Sequence, residues 1–322
     1  MNKKLFTLGM VTVLSLGLAA CNSAEKSSSE KKTESVEATA KKDEKQKITY
    51  LGKEYTVPAK VTKIATASLE SMEDAAILGV KPVAAITVGG KIPDYLAKDL
   101  KGAESIGEKM QPNFETLLKL KPDVITSSSK FPAETAEKFT KVAPTFPVSH
   151  ISTHWEDNLK LMGELTSKKD KAEKIIKDYK ADAAKTKEKV ADKLKDKKVV
   201  VIRLREGSIN LYPEDVYFNP VIYKDLGLTA PEAIKAVKKQ EKIALEKFAE
   251  MNPDYIFVQF EGSENKDNPK TLEDLQSNPI WQSINAVKDE KVFVNAVDPM
   301  AQGGTAWSKT AFLKAAEKNL SK

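Results

Sequence analysis

Short runs of β-branched residues alternate with helical patterns along most of this chain, and this alternation restricts the possible folds more than any other feature. Residues 63–68 and 83–89 have the composition of buried strands, and the helical pattern of residues 70–79 between them ends at a glycine. Residues 114–128 contain a helix, a Lys-Pro-Asp turn and a strand, and residues 47–58 predict a hairpin. Strands that alternate with helices predict an α/β lobe with a mainly parallel sheet.

The same alternation returns in the second half of the chain. Residues 197–205 and 292–295 read as strands, residues 245–260 repeat the order helix, Pro-Asp turn and strand, and the short segment 225–228 continues the pattern. Between the two halves, residues 155–195 are long, charged and contain a single glycine. Such a stretch predicts one or two solvent-facing helices that bridge two lobes.

An internal repeat links the two halves. Glu115 stands seven residues before Pro122-Asp123, and Glu246 stands seven residues before Pro253-Asp254, with a strand following in both places. Each half therefore contains a helix, a Pro-Asp turn and a strand, with a glutamate near the helix start. We expect two pseudo-symmetric lobes with a cleft between them, and such clefts are the usual place for a small-molecule site.

The N-terminal segment has the features of an export signal. Lys3 and Lys4 precede the apolar run 5–20, which is shorter than the roughly 20 residues that a membrane span needs. The run ends in Leu18-Ala19-Ala20-Cys21, where small residues before a cysteine match the bacterial lipobox. We expect cleavage before Cys21, lipidation of its thiol, and anchoring at the membrane surface without a span.

Residues 22–46 follow the predicted lipid site and contain no aromatic residue, with six lysines balanced by six acidic residues. A segment of this composition buries too little apolar surface to offset its ordering entropy, so we expect a disordered tether. The predicted organisation is a signal peptide at 1–20, a lipidated cysteine and tether at 21–46, an N-terminal lobe at 47–152, a connecting helix at 153–195 and a C-terminal lobe at 196–322.

Composition excludes several functional classes. A single cysteine rules out a disulfide framework and a multi-thiolate metal site, and two histidines rule out a three-histidine centre. The formal net charge of +6 is not concentrated in a basic block, so we expect no nucleic-acid partner. The chain contains no nucleophile elbow, phosphate-binding loop or metalloprotease motif. We interpret His150 and His154 as hinge-loop residues and predict no catalytic residue and no metal ligand.

Basic residues at predicted strand ends point to an anionic ligand. Arg203 and Arg205 end a very apolar strand and lie on one face of it, because side chains two residues apart share a face. Lys91 follows a glycine pair at another strand end, and Lys109 lies in the loop before the Glu115 helix. Ligands of α/β folds usually bind at the carboxyl ends of the strands, so these cations are expected to open onto the cleft.

Five motifs carry a resemblance to a known family: Glu70–Asp74, Gly107–Met110, Val201–Arg205, Met251–Asp254 and Asp298–Lys309. From about Lys47 onward, the chain resembles the ferric-siderophore-binding lipoproteins of bacterial ABC importers, particularly the bacillibactin-binding type. The resemblance implies a fold like that of the class III periplasmic binding proteins, in which two α/β lobes are joined by a long helix. It also implies a ferric catecholate siderophore as ligand, a permease dimer as partner, a monomeric protein and a location on the outer face of the cell membrane.

Carried over residue by residue, the resemblance assigns ligand-binding cations and docking carboxylates. The cations are Lys91, Lys109, Arg203, Arg205 and Lys238, and the permease-docking residues are Glu115 and Glu246. The chain departs from the family pattern at Glu206, an acid beside Arg205, and at Lys239, which could replace Lys238 at the ligand. The siderophore already coordinates the iron fully, so no cofactor is expected.

Three alternatives remain open from the sequence. The ligand could be a hydroxamate or citrate siderophore or another anionic solute. The protein could be a surface esterase that opens a siderophore ring, or an adhesin without small-molecule affinity.

Overall fold

The computed structural model describes residues 44–321. The predicted signal peptide, Cys21 and nearly all of the predicted tether lie outside the described residues. The described part begins with a hairpin of β1 (Lys45–Tyr50) and β2 (Lys53–Pro58), so the last two residues of the predicted tether already belong to a strand. Leu51 and Gly52 connect the strands with φ values of 46° and 76°, the left-handed geometry of a tight hairpin turn.

The N-terminal lobe contains a six-stranded sheet in the order β6-β5-β4-β3-β7-β8. Its strands are β3 (Ile64–Ala67), β4 (Ala84–Thr87), β5 (Glu104–Glu108), β6 (Gln111–Pro112), β7 (Val124–Ser128) and β8 (Thr145–Val148). All neighbours are parallel except β5 and β6. The helices are α1 (Leu69–Leu78), α2 (Asp94–Ala97), α3 (Phe114–Leu120) and α4 (Ala133–Thr140).

The C-terminal lobe contains a five-stranded sheet in the order β11-β10-β9-β12-β13. Its strands are β9 (Val199–Arg205), β10 (Ser208–Leu211), β11 (Glu241–Ile243), β12 (Tyr255–Phe260) and β13 (Val292–Val294). The strands β9, β12 and β13 are parallel, and β10 is antiparallel to both of its neighbours. The helices are α7 (Glu232–Ala236), α8 (Leu245–Met251), α9 (Thr271–Ser277), α10 (Pro279–Gln282) and α11 (Asn285–Lys288).

Two helices connect the lobes, α5 (Trp155–Leu165) and α6 (Lys169–Leu194). The 26-residue α6 is amphipathic, since its buried residues recur every three or four positions while its lysines and acids face solvent. The prediction of solvent-facing helices fits α6 but not α5. Leu159, Met162 and Leu165 of α5 are buried, because this helix packs against α1 as well as α6.

The internal repeat corresponds to the same structural unit in both lobes. In each lobe the strand after the Pro-Asp turn pairs in parallel with the first long strand, β7 with β3 and β12 with β9. The aspartate of each turn accepts backbone hydrogen bonds at the start of that first strand: Asp123 from Lys63 at 2.8 Å and Asp254 from Lys198 at 2.9 Å. The pseudo-symmetry therefore includes side-chain contacts as well as element order.

The last helix, α12 (Ala306–Leu320), contacts both halves of the molecule through its first turn. The hydroxyls of Thr305 and Ser308 donate to the carboxylate of Glu73 on α1. On another side of the turn, Lys309 Nζ lies 2.7 Å from Asp225 Oδ2 of the second lobe and 5.1 Å from the ring centre of Tyr179 on α6. Within residues 44–321, no helix combines the length and apolar character of a membrane span.

Candidate functional site

A cavity of about 680 Å³ lies between the lobes, a volume within the range of small-molecule sites. Seven basic side chains and three carboxylates line it, so the lining carries an excess of positive charge. The basic residues are Lys109, Lys130, Arg203, Arg205, Lys238, Lys239 and Lys266, and the acidic ones are Glu108, Asp215 and Glu264. The cavity is therefore suited electrostatically to an anion.

The cavity collects residues at or just beyond the carboxyl ends of strands. Lys109 follows β5, Lys130 follows β7 and His150 follows β8, while Arg203 and Arg205 form the end of β9. Parallel strands bring such positions to one edge of a sheet, and the two sheets present these edges to the same space. This arrangement explains why basic residues far apart in sequence meet in one cavity.

Lys109 is half-buried in the tight turn between β5 and β6. Gly107 makes this turn possible, since its φ is 89° and a Cβ there would lie 2.5 Å from the Gln111 carbonyl oxygen. Burial, together with the neighbouring charge of Lys130, lowers the pKa of Lys109 to about 8. The environment of Lys109 thus destabilises its charged form, and a bound anion would stabilise that form.

Lys130 is a lining residue that the sequence analysis did not single out. Its Nζ lies 2.8 Å from Oε1 of Glu70, whose side chain is only 5% exposed. Burial disfavours the charge on Glu70, but Lys130 outweighs that effect and holds the pKa of Glu70 below its ordinary value. The usable signal was the position of Lys130 just beyond a predicted strand, the same kind of position that pointed to Lys91.

Arg203 and Arg205 both line the cavity, but their environments differ. The side chain of Arg203 is 7% exposed and that of Arg205 is 39% exposed. Glu264, in the helical turn Gly262–Asn265 after β12, places Oε2 at 2.8 Å from Arg203 Nε and Oε1 at 3.8 Å from Arg205 Nε. No local sequence pattern marked Glu264, because its partners lie about sixty residues earlier in the chain.

The ring of Tyr217 packs against the guanidinium group of Arg203. The guanidinium carbon lies 5.5 Å from the centre of the tyrosine ring, within cation–π range. Tyr217 has a left-handed backbone with φ 61°, its carbonyl accepts a hydrogen bond from Ser152 Oγ at 2.8 Å, and Gly303 packs directly against it. A Cβ at position 303 would lie 2.4 Å from the Tyr217 carbonyl carbon, so the segment Asp298–Lys309 shapes the cavity wall.

Lys238 and Lys239 both line the cavity. The structure thus brings the predicted Lys238 together with the other cations, and Lys239 lies in the same lining. Both side chains are exposed and lie in the segment between α7 and β11. Glu206 lies outside the lining, and its carboxylate is 3.1 Å from Lys242 Nζ. The acid that departs from the family pattern therefore faces a lysine outside the cavity.

Lys91 is the predicted ligand residue that the structure does not place in the lining. Its Nζ lies 2.8 Å from both carboxylate oxygens of Asp94, and the pair is exposed. The neighbouring Gly89 and Gly90 donate backbone hydrogen bonds to Glu108, which holds the loop over the cavity edge. The loop conformation directs Lys91 to the helix that follows rather than to the other four cations.

The two histidines bond to serine hydroxyls. His150 Nδ1 lies 3.0 Å from Ser129 Oγ and lines the cavity, and His154 Nδ1 lies 2.9 Å from Ser149 Oγ. Burial, together with the charge of Lys130, lowers the pKa of His150 below its ordinary value. Across residues 44–321, no group of three or more His, Cys, Asp or Glu side chains could hold a metal ion.

Glu115 and Glu246 occupy equivalent exposed positions away from the cavity. Each lies in the first turn of its helix, α3 or α8. Within the part of the chain that the structure describes, neither carboxylate takes part in an ion pair. Their predicted role in docking stays a prediction.

Two α/β lobes joined by a long helix, with a cationic cavity between them, define a solute-binding protein. The chain belongs to the periplasmic binding protein family, whose sequence profile matches residues 64–296. This confirms the fold class that the alternation and the resemblance predicted.

The individual relatives agree with this assignment. The chain is 51% identical over 319 residues to an iron-uptake system-binding protein of Bacillus subtilis, with 99% of each chain covered. It is 29% identical to a probable siderophore-binding lipoprotein of the same species, with 89% of each chain covered. The crystal structure of the triscatecholate siderophore-binding protein FeuA from Bacillus subtilis with ferri-bacillibactin matches with a TM-score of 0.82 and 55% identity, covering 85% of this chain and 98% of that one.

Proposed function

We propose that this protein captures a ferric tris-catecholate siderophore and delivers it to an ABC permease. The observation that carries the proposal is the cationic cavity, in which lysines and arginines from both lobes outnumber the carboxylates. A ferric tris-catecholate has a charge close to −3 and needs several converging cations. The similarity to a protein crystallised with ferri-bacillibactin points to the same ligand chemistry.

The physical terms support tight binding. At about 4 Å and an effective dielectric constant near 20, one pair of unit charges attracts by roughly 4 kcal/mol before desolvation. In this proposal, such pairs form at Lys109, Arg205 and Lys238, which line the cavity, and Arg203 supplies a buried hydrogen-bond donor. Cations above the electron-rich catechol rings add roughly 0.5–2 kcal/mol each. Much of this sum is offset by desolvation and lost freedom of motion.

In this proposal, the protein releases the siderophore without changing it chemically. Both histidines bond to serine hydroxyls rather than to a carboxylate that would orient a general base. The iron travels as cargo inside the siderophore, which supplies its oxygen ligands, so the protein contributes charge and shape rather than a cofactor.

Membrane attachment through Cys21 completes the proposal. The lipobox sequence and the lipoprotein among the relatives support a lipid anchor on the outer face of the membrane. A lipid on Cys21 would keep the protein, as a monomer, close to its membrane partner. The exposed Glu115 and Glu246, one on each lobe, would meet basic sites on the two halves of a permease dimer and fix the orientation of docking.

Titration of tryptophan fluorescence with a panel of iron complexes tests the proposal. The panel contains ferri-bacillibactin, a neutral ferric tris-hydroxamate, ferric citrate and iron-free bacillibactin. We expect saturable binding of ferri-bacillibactin and much weaker binding of the neutral and iron-free compounds. The bound ligand should be recovered intact by mass spectrometry. Preference for the hydroxamate or citrate complex would assign a different siderophore class, and recovery of a hydrolysed ligand would indicate an esterase.

A further inference from the structure

Of the three acidic residues in the cavity lining of the described chain, Glu264 is the one that forms ion pairs, and it faces two arginines at once. Its side chain is 12% exposed, and its Oε2 lies 2.8 Å from Nε of the nearly buried Arg203. Its Oε1 lies 3.8 Å from Nε of Arg205, which is far more exposed. The cavity lining therefore holds a carboxylate within 4 Å of both arginines that the family resemblance assigns to ligand attraction.

The position of Glu264 is fixed by its own loop. Its carbonyl oxygen accepts the backbone N–H of Glu206 at 3.1 Å. The next residue, Asn265, donates from Nδ2 to the Leu204 carbonyl at 3.0 Å and accepts from the Gly207 N–H at 3.1 Å. Three hydrogen bonds thus tie this loop to the end of β9, so the carboxylate is held beside the arginines.

The pairing changes what Arg203 offers to a ligand. A buried carboxylate at hydrogen-bond distance compensates the guanidinium charge, and the surrounding protein screens the pair much less than water would. Nη2 of Arg203 is buried without a hydrogen-bond partner within the described residues. Arg203 is therefore an oriented donor with its charge already balanced, whereas Arg205, Lys238 and Lys239 remain accessible cations.

We infer that Glu264 is a specificity-determining residue that sets the net charge which the cleft presents to its ligand. This inference rests on the proposed function. Its carboxylate neutralises Arg203 and repels each negative charge of the ligand, so it limits the preference for highly charged complexes. The field that attracts the siderophore is weaker than the number of cations in the lining suggests.

The variant Glu264→Gln tests the inference, because a glutamine oxygen can still accept the hydrogen bond from Arg203 Nε while the negative charge is removed. We expect the Kd for ferri-bacillibactin to fall by about threefold to tenfold. The dependence of log Kd on log salt concentration should become steeper, since the cleft gains one uncompensated charge. The Kd for a neutral ferric tris-hydroxamate should change by less than about twofold, because a neutral complex is insensitive to the added charge.

Glu206→Gln is the matched control. It makes the same change in formal charge in the same part of the molecule, but its side chain is 64% exposed and pairs with Lys242 outside the cavity. Solvent screening should keep its effect on the Kd below about twofold. Equal effects of the two variants would show that only the overall charge matters and would overturn the inference.

Weaker binding by Glu264→Gln, or an unchanged salt dependence, would also overturn it. If that variant does not fold, the double variant Arg203→Gln with Glu264→Gln removes the pair as a unit and should retain the salt dependence of the parent. A shallower dependence would show that Arg203 acts as a net charge and would refute the assignment of Glu264. Failure of the parent protein to bind ferri-bacillibactin would contradict the proposed function instead, so the two outcomes are distinguishable.

Discussion

Replacing Lys109 by methionine should stabilise the ligand-free protein while weakening ligand binding. Burial and the positive charge of Lys130 lower the pKa of Lys109 from 10.5 to about 8. Each pKa unit corresponds to about 1.4 kcal/mol, so keeping this ammonium charged in the folded protein costs on the order of 3 kcal/mol at neutral pH. Methionine has a similar length and carries no charge, so Lys109→Met should recover about 1–3 kcal/mol of that cost.

The sign of the pH dependence makes this prediction specific. Between pH 8 and 10.5 the unfolded chain keeps the Lys109 proton that the folded protein has released, so the stability of the parent rises with pH in this window. Below pH 8 both states hold the proton and the cost is fully present. The stability advantage of Lys109→Met should therefore be largest at pH 7 and should shrink towards zero as the pH approaches 10.5.

Urea denaturation at pH 7 and pH 10 measures the effect on stability, and fluorescence titration with ferri-bacillibactin measures the effect on binding. The Kd should rise by about tenfold to a hundredfold, as for the loss of a charge-assisted contact. Lys98→Met is a suitable control, because Lys98 is an exposed lysine of the same lobe outside the cavity lining. Destabilisation of Lys109→Met at pH 7, or an equal gain at both pH values, would refute the reasoning.

Three further predictions concern other steps. Affinity for ferri-bacillibactin should fall as the pH rises above about 8, because Lys109 loses its proton in the free protein. Lys109→Arg should remove this dependence in isothermal titrations from about pH 7 to 9.5, and a flat profile for the parent protein would contradict the prediction. The double variant Glu115→Ala with Glu246→Ala should bind the ligand normally in solution but abolish or sharply reduce iron uptake by cells. Normal uptake at equal surface abundance would remove the docking role. Cys21→Ala should appear in the culture medium with intact ligand binding, whereas its retention at the membrane would show another anchor.

The sequence was sufficient to predict most of the architecture, because hydrophobic periodicity and the glycine and proline residues that end helices and form turns are local signals. The helix that ends at Gly79 and the two Pro-Asp turns are written in neighbouring residues, and the structure has them where they were expected. The burial of α5 was not predicted, because the composition of residues 155–195 is dominated by charged residues. The apolar stripe that contains Leu159 and Met162 is buried by packing against α1, which is distant in sequence.

The candidate site was only partly predictable for the same physical reason. Arg203 and Arg205 could be placed because strand ends converge at one edge of a parallel sheet, and Lys109 was singled out by its position in the loop before the Glu115 helix. Glu264 could not be placed, since it meets its arginine partners only after β12 pairs with β9 and the following turn folds back. Lys91 follows the glycine pair after β4, but its ion pair with Asp94, three residues further along the chain, directs its side chain away from the cavity. Strand position predicts where a residue lies, and loop conformation decides which way it points.

The first turn of α12 has a consequence for how this protein folds. Thr305 and Ser308 bond to Glu73 across 232 and 235 residues of sequence, the longest separations among the side-chain hydrogen bonds of the described residues. Until those hydroxyls arrive, the only side-chain donor to the Glu73 carboxylate within its own lobe of the described chain is the Tyr95 hydroxyl at 2.6 Å. The finished protein buries this carboxylate completely, and leaving such a group without its remaining partners costs about 1–3 kcal/mol. The N-terminal lobe therefore cannot reach its final packing before the rest of the chain has closed over it. Despite its two lobes, the molecule should melt in a single cooperative transition, with neither lobe folding or unfolding independently.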